Sequence, residues 1–154
     1  MTVTTRLSTT VAEVPTLVGT EFGPSAWTEL GQDSVDGYAD LTGDRNPIHV
    51  DAVYAAASPY GRRIVHGLLT LSMVVPLLRE VFGVDDATMR INYGLNRVRF
   101  PAPVPAGARV RLRGRISEAT PIDGGVQLVL TATFEIEGGD KPGCVADLVV
   151  RYYA

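Results

Sequence analysis

A carboxylate and an imidazole stand five residues apart in Gly43-Asp44-Arg45-Asn46-Pro47-Ile48-His49, with turn-forming residues between them. Gly43, Asn46 and Pro47 cannot carry a preceding helix smoothly through this point, so the backbone must bend. A bend lets Asp44 and His49 project toward one locus, and an acid held beside a base is what proton-transfer chemistry requires. The commoner use of such a pair is a surface ion pair or a capping contact. Asn46 could bind a water or close the turn, and the preference of asparagine for tight turns favours the structural role. Asp44, His49 and Asp51 are also ordinary metal ligands. With no second histidine nearby, no metal site is expected.

The elements that must hold this pair can be read on either side of it. Gln32 to Thr42 reads as a helix, with Asp33 and Ser34 as capping candidates and Val35, Tyr38 and Leu41 at helical spacing. Gly43 ends it. A second short helix is expected from Asp51 to Ala57, closed by Ser58 and Pro59. Val65 to Phe82 reads as one long helix. Val65, Leu68, Leu69, Ser72, Val75 and Pro76 lie along one face, yet Leu71, Val74 and Leu77 make the opposite face apolar too. A helix apolar nearly all round should be buried inside something that wraps it. Upstream, a short helix is expected near Thr10 to Val14 and an extended piece from Ala26 to Leu30.

After Gly83 the pattern changes to strands. Met89–Phe100, Arg109–Glu118, Gly125–Glu137 and Cys144–Tyr153 are strand-like runs parted by proline- or glycine-rich turns. Arg109, Arg111, Arg113 and Arg115 alternate with Val110, Leu112, Gly114 and Ile116, the period of a strand with one wet face. Helices followed by strands predict an α+β fold, with an antiparallel sheet around the buried helix. The arginine ladder reads first as a solvated face; contact with phosphates is the functional alternative, shared with Arg97 and Arg99. Trp27, Tyr38 and Tyr93 read as packing residues.

Composition bounds the function. The 154 residues fit one domain over 1–154, with 45% hydrophobic and 20% charged residues. A net charge of -3 argues against a nucleic-acid partner. Cys144 is the only cysteine, which excludes an internal disulfide or a cysteine metal cluster and suits a reducing cytoplasm. Met1 to Thr10 has only Arg6 as a charge and no apolar core, unlike a signal peptide. Ile64 to Leu78, broken by His66, Gly67 and Pro76, is too short to cross a membrane. A soluble, cytoplasmic protein is expected.

Tyr38 to Ala55, with Gly43-Asp44-x-Asn46-Pro47-Ile48-His49 at its centre, resembles the hydratase motif of the MaoC-like dehydratases, the (R)-specific enoyl-CoA hydratases. Ile64-Val-His-Gly-Leu-Leu-Thr-Leu-Ser72 is similar to the start of that family's central helix. Ile91 to Pro105 resembles a single-hotdog subgroup that includes mycobacterial hydratases and nodulation protein N. The resemblance spans nearly the whole chain and implies a hotdog fold, a homodimer and an acyl-CoA substrate, with no cofactor and no metal.

It implies roles as well. Asp44 and His49 would hold the water that adds to a trans-2-enoyl thioester, Asp44 taking its proton and His49 helping to deliver one to Cα. Such an aspartate needs burial or a neighbouring dipole to become an effective base. The backbone N–H of Gly67, at a helix start, would face the thioester oxygen, and glycine permits close approach. Ser72 is a candidate for orienting the pair, although Val75 stands where some relatives carry a polar residue. Asn46, Arg97 and Arg99 are further orienting or substrate-binding candidates. His66 is expected to cap or pack. Because many hotdog proteins cleave thioesters, an acyl-CoA thioesterase is the alternative enzyme, and a non-catalytic acyl-thioester-binding subunit the alternative outside catalysis.

Overall fold

From residue 6 to residue 154, the residues this computed structural model describes, short strands lead into a helical middle and then into long strands. Of the N-terminal stretch read above for a signal, residues 1–5 lie outside the described residues. The chain runs through β1 (Leu7–Thr9), a 3-10 turn at Val14–Leu17, β2 (Glu21–Phe22), β3 (Thr28–Glu29), α1 (Gln32–Thr42), α2 (Pro47–Val50) and α3 (Ala52–Ala57). It continues with α4 (Gly67–Ser72), α5 (Val74–Val81), β4 (Phe82–Val84), β5 (Met89–Arg99), β6 (Arg109–Ile122), β7 (Gly125–Ile136) and β8 (Cys144–Tyr153).

The long strands form an antiparallel sheet in the order β2-β6-β7-β8-β5, with β3 also pairing β6. Period-two side chains decide its two faces. Val110, Leu112, Ile116, Leu128, Leu130, Phe134, Leu148 and Val150 point inward and are almost fully buried. Against them pack Leu71, Val74, Leu77, Leu78 and Val81 of α4 and α5, so the sheet curls around the helices. This is the hotdog arrangement.

The outward face of β6 carries the arginines, and glutamates of the neighbouring strand pair with them. Arg109 meets Glu137 at 2.5 Å, while Arg111 and Arg113 share Glu135 at 2.5 Å and 2.8 Å. Two guanidinium groups hold the Glu135 carboxyl below its ordinary range, against the opposing effect of partial burial. Arg111 also lies over the Trp27 ring at 4.4 Å, and Arg151 over Tyr93 at 3.4 Å. Cross-strand neutralisation makes most of the ladder a structural lattice rather than a free phosphate site.

The expected single helix from Val65 to Phe82 is two helices meeting at Met73. Pro76 has no N–H to bond the Ser72 carbonyl and its ring crowds that carbonyl, so the ladder cannot run through. Restarting at Val74 places Pro76 in a first turn, where no N–H is needed. Nor is the helix buried all round. Leu71, Val74, Leu78 and Val81 form the inner stripe, whereas Leu68, Ser72 and Pro76 are exposed. At the amino-terminal end, the helix expected near Thr10 to Val14 is a turn followed by the 3-10 segment at Val14–Leu17. Among the described residues no helix is long and apolar enough to cross a membrane.

Candidate active site

The bend at Asp44 is built from the two helices that flank it. α1 ends on Gly43, whose φ of 78° is left-handed and whose N–H bonds Ala39 O. Only glycine adopts that conformation cheaply, so the chain turns there. Asp33 and Ser34 do not cap α1; Gly31 occupies the N-cap without a side-chain bond. Asn46 then caps α2, its side chain accepting from Ile48 N at 3.3 Å, with Pro47 in the first helical position. Asn46 therefore works as a turn residue. Asp51 caps α3 by accepting from Tyr54 N at 2.9 Å, which removes it from the ligand candidates around His49.

His49 lies in the last turn of this short α2 and is 7% exposed. Its Nδ1 lies 2.7 Å from Ile64 O. A carbonyl only accepts, so the proton sits on Nδ1 and Nε2 carries a bare lone pair. Burial lowers the His49 pKa below the usual imidazole range, the Ile64 carbonyl opposes this, and Asp44 opposes it more weakly. His49 is thus held neutral and ready to accept. Gln32 steadies the same residue from α1, donating to His49 O at 2.9 Å.

Asp44 is exposed, contrary to the burial that its proposed role called for. Its Oδ1 accepts from Asn46 N at 3.4 Å and its backbone N–H faces Thr42 Oγ1 at 3.3 Å. The turn lies on the rim of the chain, where few groups are available to cover it. Even so, donor atoms of Asp44, His49 and His66 lie within 4.8 Å of one another.

His66 was not expected here. It is 2% exposed, its Nε2 lies 2.9 Å from Asp44 O, and its ring stacks on His49 with centroids 3.8 Å apart and planes 30° apart. Tyr38 of α1 packs on it at 4.8 Å. The fold therefore supplies the second histidine that the chain order concealed. A metal bond to imidazole is about 2.0–2.1 Å long and lies in the ring plane. Rings stacked 3.8 Å apart do not turn their nitrogens onto one such point, so the cluster as arranged does not fit a shared ion.

Gly67 opens α4 next to this group, with its N–H among those of the first turn that lack a helical partner. The Phe100 ring lies against it; a Cβ built at Gly67 would sit 3.0 Å from the ring. Close approach, rather than an unusual φ, is what demands glycine here. His49, Tyr60, Gly67, Thr70, Phe100 and Val104 line a pocket of about 390 Å³. Thr70 is fully buried in that lining, whereas Ser72 is exposed and its Oγ donates to Leu68 O at 2.7 Å. The hydroxyl that the fold brings to the pocket is Thr70. Its only sequence signal is its place one turn after His66. Arg97 and Arg99 border an adjoining hollow that shares Pro101 with the pocket. Neither has an ion-pair partner among the described residues.

The profile of the MaoC like domain family matches residues 13–137. The chain belongs to the MaoC-like family. This MaoC-like chain is 43% identical to 3-hydroxyacyl-thioester dehydratase Z of Mycobacterium tuberculosis, over 94% of its own length and 96% of the relative's. It is 41% identical to nodulation protein N of Rhizobium leguminosarum bv. viciae, covering 90% and 88%. Among solved structures, the (R)-hydratase from A. caviae involved in PHA biosynthesis superposes with a TM-score of 0.70 at 28% identity, covering 86% of this chain and 94% of that one.

Proposed function

We propose that this MaoC-like protein catalyses the reversible, (R)-specific hydration of trans-2-enoyl-CoA to (R)-3-hydroxyacyl-CoA. The observation that carries the reading is a buried, neutral His49 that lines a pocket together with Gly67, with an Asp44 carboxylate oxygen within 4.8 Å of its imidazole although Asp44 stands outside that lining. The dehydratase and (R)-hydratase names of its relatives agree with it.

Both members of the pair are acceptors at the outset, so a water can donate one hydrogen to each and turn its oxygen lone pair toward Cβ. As the Cβ–O bond forms, the Cα=Cβ electrons move to the thioester oxygen, where the Gly67 N–H opposes the growing charge. The pair takes one proton from the water and returns one to Cα, so water is consumed and nothing else is. His49 has no proton on Nε2 to give first; it must accept before it donates. Dehydration runs the same steps backwards.

Arg97 and Arg99 are the favoured contacts for coenzyme A phosphates, because glutamates occupy Arg109, Arg111 and Arg113. A homodimer is part of the proposal. β5 is an edge strand that pairs only β8, and it leaves Ile91, Tyr93 and Leu95 exposed. A long apolar edge of this kind invites a second strand.

The test is loss of the enoyl absorbance of crotonyl-CoA, with chiral analysis of the product. Asp44→Asn should abolish turnover while acyl-CoA binding persists, since one base removed costs about 10²–10⁴-fold. Release of free thiol in place of hydration would establish the thioesterase alternative. A folded protein that turns over enoyl-CoA of no chain length would end the proposal. Light scattering reads the dimer.

A further inference from the structure

His66 is committed to neither the water nor the thioester in the scheme above, yet the fold gives it more attention than an incidental packing residue receives. Its ring is 2% exposed and lies between Tyr38 and His49. Its Nε2 meets Asp44 O, and because a carbonyl accepts, that nitrogen carries the proton. Nδ1, the other ring nitrogen, is buried without any hydrogen-bond partner. A buried polar atom without a partner costs free energy, so a residue that only filled space here would be better replaced by an apolar side chain.

What the imidazole does that an apolar ring could not is join both catalytic candidates from one rigid point. Its N–H fixes the backbone of Asp44, a residue whose own side chain is exposed and lightly held. Its face fixes the plane of His49. His66 is itself the N-cap residue of α4, directly before Gly67. One residue thus joins the Asp44 turn and the His49 ring through its side chain, and the Gly67 amide through its backbone, into a single unit.

Resting on the hydratase reading, we infer that His66 is a positioning residue whose Nε2–H donor and ring face set Asp44 and His49 relative to Gly67. Misplacing reacting groups by about 1 Å costs on the order of 10²-fold in rate. His66→Phe keeps a ring against His49 and removes the donor to Asp44 O. His66→Gln keeps an N–H donor near the place of Nε2. With crotonyl-CoA, His66→Phe should lose about 10- to 100-fold in kcat with KM changed by less than about threefold. His66→Gln should recover most of that loss at equal or lower thermal stability, a rescue that a purely structural role would not produce.

Two-dimensional ¹H–¹⁵N spectra of the wild-type imidazoles at pH 7 provide an arm that needs no variant. They should show a proton held on His66 Nε2. A His66 Nε2 without a proton overturns the inference, as does a His66→Phe enzyme with wild-type kcat or a glutamine variant no better than the phenylalanine one. These results are distinct from failure of the hydratase reading, which a wild-type protein without turnover would register.

Discussion

Gly67→Ala is the substitution whose effect the structure allows to be worked out most fully. A Cβ at this position lies 3.0 Å from Cδ1 and Cγ of Phe100 and 3.1 Å from Cδ2. Carbon atoms settle at about 3.5–4.0 Å, so ring and helix must give way by a few tenths of an ångström. Phe100 is 44% exposed and can yield part of that distance, which puts the stability loss near the low end for overpacking, about 1 kcal/mol. The remainder falls on the first turn of α4 and moves the Gly67 N–H. Losing a donor to a developing oxyanion costs about 10²–10³-fold, and a partial displacement costs less. We expect kcat for crotonyl-CoA hydration to fall about 10- to 100-fold, or roughly 1.4–2.7 kcal/mol in the barrier, with KM little changed. Adding Phe100→Ala gives the new methyl room, so the double variant should regain most of the lost kcat while circular dichroism reports a folded protein throughout. A Gly67→Ala enzyme within about twofold of wild type would refute the role given to this amide. A double variant no better than the single one would refute the crowding argument.

The remaining expectations concern titration, the hydroxyls and the arginine lattice. Because burial lowers the His49 pKa, the acid limb of the kcat/KM profile should lie below the ordinary imidazole value of 6.5; activity is full above that limb and is lost as His49 protonates on falling pH. A limb above pH 7 would contradict a neutral, buried His49. Ser72→Ala should leave kcat/KM within about twofold, as its hydroxyl only bonds Leu68 O, whereas Thr70→Val, inside the pocket, should lower it by more. Glu135→Gln removes the carboxylate shared by Arg111 and Arg113 and should cost about 1 kcal/mol or less in urea unfolding, given how exposed the pairs are. Since the folded Glu135 pKa is depressed, this contribution is present above the unfolded value of 4.5 and disappears as pH falls through the folded one. The gap between wild type and variant should therefore close in acid.

Much of this chain is legible in its local chemistry, because local rules act over a few residues. α1 runs from Gln32 to Thr42 and stops at Gly43, since a helix end is written in its own capping glycine. β8 spans Cys144–Tyr153, and β6 alternates wet and dry, since strand faces follow from period two. The bend between Asp44 and His49 is readable from residue types, and the family from resemblance over three segments, whereas the Phe100 ring that crowds Gly67 is not. What the tertiary structure decided depends on contacts between segments distant in sequence. The helix breaks at Met73, and its rotation then selects Thr70 over Ser72 for the pocket and Leu71 over Leu68 for the core. Register between β6 and β7 pairs the arginines with Glu135 and Glu137. Above all, His66 comes to lie on His49 and Asp44 because α4 begins against the turn after α1, a proximity that the sixteen residues between the two histidines hide. Spacing along the chain showed that an acid and a base could meet; only packing showed what holds them there.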